Sequence, residues 1–158
     1  MDALSVRALG ELSIDGIDVR TLVDRKARLL LRYLALARGR AVSTEALVDA
    51  LWGDAPPAKP ADQVAVLASR LRRTLGSTSV ERGDHGYRLR YDWLDLDELA
   101  RLVAAVEERT AAKNPAAAVA AARVAVSLLR GPLPDPDTEA EWVLADHAAA
   151  VRLVRRAR

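Results

Sequence analysis

The chain has 158 residues, 51% of them hydrophobic and 29% charged, and 24 Lys and Arg against 22 Asp and Glu leave a formal charge of +2. This is the composition of a folded, water-soluble chain and excludes the disordered and fibrous classes. The absence of cysteine excludes a disulfide scaffold, a thiolate metal site and a cysteine nucleophile, and the absence of Phe leaves Leu, Val and Ala to build the core. His85 and His147 stand too far apart in sequence for a local metal pair. No run approaches the roughly 18 apolar residues of a membrane span, and Met1-Asp2 does not open a signal peptide, so a cytoplasmic location is expected. The charge is uneven. Residues 1–92 hold 15 basic and 12 acidic side chains, residues 93–158 hold 9 and 10, and the stretch 59–90 alone carries seven basic against three acidic.

Leu4, Val6 and Ala8 alternate as in a strand, Leu12 and Ile14 follow, and Asp15-Gly16 is a hairpin turn signal before Ile17 and Val19 resume the alternation. Two short strands are marginal alone, so a third strand or a helix must cover them. From Asp24 the period changes. The run 25–38 is apolar almost all round its second half, as in a buried central helix, and Gly39 stops it. Ser43 caps a helix over 44–52, with Glu45 in its first turn and Gly53 after it. Residues 54–60 are a proline-rich loop, and Pro60 suits the first turn of a helix over 61–75.

In that helix Val64, Leu67, Ala68, Leu71 and Leu75 form one stripe; Asp62, Val66, Ser69, Arg70 and Arg73 lie opposite, with Arg72 on the flank. Residues 79–82 and 87–91 alternate around Gly83-Asp84-His85-Gly86 as a hairpin. From Trp93 onward the pattern is helical: 94–110 with Asp95 or Asp97 as cap, 116–129 opened by Asn114-Pro115, and a third helix from about Thr138 to Arg158 containing Trp142 and His147. The pair 97–129 has the length and small-residue content of a tetratricopeptide-like hairpin. The fold class expected is an α+β winged helix-turn-helix domain over 1–92, followed by an all-α, tetratricopeptide-like domain over 93–158.

A strand ribbon, three helices and a basic hairpin suit DNA. The major groove, about 12 Å wide, accepts one helix that hides its apolar stripe and presents polar side chains. On 61–75, Arg70 and Arg73 suit guanine edges, Ser69 a phosphate or base, Val66 a thymine methyl and Arg72 a phosphate. The amides at Thr44-Glu45 suit a backbone phosphate, and Arg82 and His85 near the hairpin tip suit the minor groove. The same arginines also suit a plain solvated face, and a protein-interaction scaffold with no sequence-specific DNA binding stays open as the alternative. Among candidates for chemistry, Asp15, Asp18 and Asp24 match no calcium loop, and neither a phosphate-binding Gly-rich loop nor a supported Ser-His-Asp order is present. The sequence therefore points away from an enzyme, and no cofactor or metal is expected.

The segments KARLLLRYLALARGRAVSTEALVDALWGDAPP, SRLRRTLG and GYRL resemble the DNA-binding half of the SARP activators, whose winged helix is OmpR-like. WLDLDELARLV and AVAAARVAVSLLRGPL resemble that family's bacterial transcriptional activation domain. The resemblance implies that 61–75 is the recognition helix, 79–91 the wing, and 53–60 a loop presented to RNA polymerase holoenzyme. It also implies binding to direct repeats in double-stranded DNA as head-to-tail copies, and control of secondary-metabolite or similar genes. An uncapped VRLVRRAR ending, with Val151, Leu153 and Val154 on an apolar stripe, leads us to expect further residues after Arg158 in the natural protein.

Overall fold

Alternation at the N-terminus yields a ribbon shorter than its sequence pattern. In the computed structural model, which describes residues 3–22 and 24–130, strand β1 (Ser5–Arg7) pairs antiparallel with β2 (Ser13–Ile14). Asp15-Gly16 does turn the chain, with a single bridge between Ile14 and Ile17. There the alternation ends. Val19–Thr21 is a 3-10 turn, not a strand, because the Asp18 carboxylate accepts the Arg20 amide and bends the backbone locally.

Helix α1 (Arg25–Leu36) starts where Asp24 accepts the amides of Lys26 and Ala27, and it fills the centre with Ala27, Leu30, Leu31, Tyr33, Leu34 and Ala35, all inaccessible to solvent. Helix α2 (Thr44–Trp52) is capped by Ser43, whose hydroxyl accepts the Ala46 amide. Helix α3 (Pro60–Leu75) takes Pro60 into its first turn and buries Val64, Leu67, Ala68 and Leu71, the expected stripe. Strands β3 (Val80–Gly83) and β4 (Gly86–Leu89) form the expected hairpin, in register from Val80 opposite Leu89 to Gly83 opposite Gly86.

The ribbon's third strand comes from an unexpected place. Trp93–Leu94 is β5, pairing parallel with β1 so that the sheet order is β2-β1-β5. This corrects the expectation of helix from Trp93 onward. The period-2 signal of two residues is invisible in a sequence, and only the unsatisfied edge of β1 gives them a partner. Helix α4 (Asp95–Ala111) follows at once, then α5 (Pro115–Ser127), whose cap Asn114 accepts the Ala117 amide. Neither Asp95 nor Asp97 caps α4. The buried Asp95 carboxylate instead accepts the amides of Ala8 at 2.8 Å and Leu9 at 2.9 Å, holding the chain after β1 against the start of α4.

One apolar cluster runs from β1 through α1, α2 and α3 to Leu99, Leu102 and Val103 of α4 and Ala121 and Ala125 of α5. The third helix expected over 138–158, with Trp142, His147, Val151, Leu153 and Val154, lies outside the described residues. Among the described residues no helix is long and apolar enough to cross a membrane.

Candidate nucleic-acid interface

Three elements are locked together around the hairpin. The Val42 amide donates to the Tyr87 carbonyl at 2.7 Å and the Tyr87 amide donates back to the Val42 carbonyl at 2.9 Å, so Val42, two residues before α2, forms a single antiparallel bridge beside β4. This close approach needs Gly86, which holds φ +117° and lies so near that a Cβ there would sit 2.0 Å from the Val42 carbonyl oxygen. On the other side, the Arg72 guanidinium donates through Nε to the Val80 carbonyl at 2.8 Å, tying the end of α3 to β3. The start of α2, the last turns of α3 and the hairpin therefore hold a fixed relation.

On α3, the outward line opposite the buried stripe holds Asp62, Val66, Ser69 and Arg73, all exposed; Val66 shows 43% of its surface. Among the described residues the Arg73 guanidinium makes no hydrogen bond or ion pair. Arg70 lies three residues back, about 60° short of a full turn, on the flank facing α1. There its Nη1 pairs with Asp24 Oδ2. Arg72 sits on the opposite flank, turned to β3. Of the three arginines that the sequence groups on this helix, the structure leaves Arg73 on the outward line and engages the other two within the fold.

Thr44 opens α2 half-buried beside the hairpin, where the first-turn amides have no intrahelical partner. Arg82 and His85 are exposed at the hairpin's far end, the Arg82 guanidinium 5.6 Å from the centre of the Tyr87 ring. Glu81 is engaged: it pairs with Arg88 across the ladder and lies 3.5 Å from Arg90, and the Arg88 hydrogen bond holds its carboxyl below the usual range. Glu81 thus offsets Arg88 and Arg90, the two arginines nearest the body.

Sequence reasoning missed Asp24 and Gly86. Asp24 shows there only at the start of a helix and, with Asp15 and Asp18, in a set that matches no calcium loop, since its partner Arg70 is 46 positions away. Gly86 shows only as a turn residue, since what it approaches lies on another element.

Residues 20–89 match the family described as transcriptional regulatory protein, C terminal. Regulatory protein AfsR of Streptomyces griseus is 34% identical over 113 residues, an alignment covering 70% of this chain and 12% of AfsR. Transcriptional regulatory protein MoaR1 of Mycobacterium tuberculosis is 34% identical over 122 residues, covering 71% of this chain and 39% of MoaR1. A solved structure, Mycobacterium tuberculosis EmbR in complex with low affinity phosphopeptide, superposes with a TM-score of 0.82 at 28% identity, covering 99% of this chain and 44% of EmbR. The chain thus spans less than half the length of each. The resemblance to SARP-type regulators carried by the motifs holds in sequence and in fold.

Proposed function

We propose that this chain is the DNA-binding part of a sequence-specific transcriptional activator, a reading supported by the match of residues 20–89 to the family described as transcriptional regulatory protein, C terminal. Residues 1–92 serve as the DNA-binding unit, and 93–158 begin a helical activation domain. The observation that carries the reading is the exposed line Val66, Ser69 and Arg73 on α3, held in fixed relation to the hairpin by Arg72 and by the Val42–Tyr87 pair. A helix so presented enters the major groove, with Arg73 on a guanine edge, Val66 on a thymine methyl and Ser69 on base or phosphate. The amide end at Thr44 meets a phosphate, and Arg82 and His85 reach the adjoining minor groove.

The finer points follow from the SARP resemblance. Two copies bind head to tail on direct repeats, and the exposed loop between α2 and α3 faces RNA polymerase. The hairpin of α4 and α5, closed over Ala118, Ala121 and Ala125, is the first tetratricopeptide-like unit of the activation domain.

Selection of duplexes from a randomised pool, followed by binding titrations, tests this. Arg73→Ala should lose about 1–3 kcal/mol on the selected sequence and relax the preference at one position. A loss equal on selected and random DNA would make Arg73 a phosphate contact and move the reading face elsewhere. Deleting one repeat from a selected two-repeat site should weaken binding strongly; unchanged affinity would mean that one copy suffices. A scaffold would show no salt-sensitive binding at all.

A further inference from the structure

Asp24 does two jobs with two oxygens. Its Oδ1 accepts the Lys26 and Ala27 amides and so caps α1, while its Oδ2 pairs with Arg70 from α3. The second contact draws a guanidinium off the flank of the helix on which the DNA reading rests. The ion pair is partly exposed on both sides, and an exposed pair contributes little to stability. What it does fix is direction: a long, flexible, half-exposed arginine is held toward α1 rather than toward the groove.

We propose that Asp24 is a positioning residue that limits DNA contact by withholding Arg70, so that Arg73 is the arginine of α3 that meets DNA. The inference rests on the reading of α3 as the DNA-facing helix. Asp24→Asn separates the two jobs, since the Asn side-chain oxygen caps a helix about as well as Asp does, whereas its amide cannot hold a guanidinium by charge.

The experiment is a fluorescence-anisotropy titration of a labelled mixed-sequence DNA duplex against salt. It uses the wild type, Asp24→Asn, Arg70→Gln and the double variant, each checked for folding by circular dichroism. Asp24→Asn should bind more tightly and steepen the slope of log affinity against log salt by about 0.9, the increment for one added phosphate contact. Arg70→Gln should bind with the wild-type slope, and the double variant should return to it.

That asymmetry separates withholding from mere net charge, which would raise one single variant and lower the other. A wild-type slope in Asp24→Asn, or a slope shallower by one contact in Arg70→Gln, overturns the inference while leaving α3 as the DNA helix. No salt-sensitive binding by the wild type overturns both.

Discussion

Gly86→Ala should lower the unfolding free energy by about 4 kcal/mol or more, placing it among the most damaging single-methyl changes in the chain. Two costs combine. The backbone at φ +117° is one that side chains with a Cβ rarely adopt, and the new methyl would meet the Val42 carbonyl oxygen at 2.0 Å and the Ser43 Cα at 2.8 Å. Neither neighbour is a flexible side chain that can swing away. The hairpin must therefore leave Val42, which breaks both hydrogen bonds to Tyr87 and exposes a fully buried ring. Gly83→Ala is the control, because nothing lies within 4 Å of a Cβ there. Urea unfolding of both variants checks the expectation, and equal midpoints would show that the seat of the hairpin adapts.

Asp95→Ala should cost about 2–5 kcal/mol, because it leaves the buried amides of Ala8 and Leu9 without an acceptor. Asp95→Asn should lose less, since one acceptor oxygen remains while the side-chain NH2 faces the other amide. The pH dependence distinguishes them from simple packing defects. Burial, the largest influence, pushes the Asp95 carboxyl above the usual carboxylate range, while the two amides and Arg130 pull the other way. A carboxyl raised in the folded state supports folding in full below its unfolded value, and that support fades as pH rises through its folded value. Wild-type stability should carry this decline with rising pH, and Asp95→Asn should lack it. Thermal melts across the acid range decide; identical profiles would show that Asp95 does not titrate between the two states.

Much of the fold is legible from the residues because its signals are local. Ser43 before Thr44-Glu45, Pro60 at the head of α3, Asn114-Pro115 before α5 and the stripe Val64, Leu67, Leu71 each act within a turn or two of helix. What escapes reading depends on partners far along the chain. Strand β5 has two residues and exists because β1 offers it an edge. Val19 continues an apolar alternation, yet Asp18 one position earlier wins with a local hydrogen bond.

The candidate site divides the same way. That α3 carries arginines away from its stripe is plain from periodicity, but which arginine faces outward is decided on its flanks. Asp24 takes Arg70 on one side and the Val80 carbonyl takes Arg72 on the other. A helical wheel places side chains by angle alone, whereas a long guanidinium goes where its strongest acceptor is.

The β1–β5 pairing also sets a timetable for folding during synthesis. Strand β1 leaves the ribosome well before the partners that complete it. Its parallel neighbour β5 pairs with it from 88 positions on, and the Asp95 carboxylate that gathers the amides of Ala8 and Leu9 stands 87 and 86 positions later than they do. The Leu4 amide likewise waits for Asp92, 88 positions on. Contacts so distant raise the contact order and slow closure, so the first strand is the last to be locked. Helices α1 to α3 and the hairpin can assemble first, with the ribbon closing over them once the start of α4 has emerged.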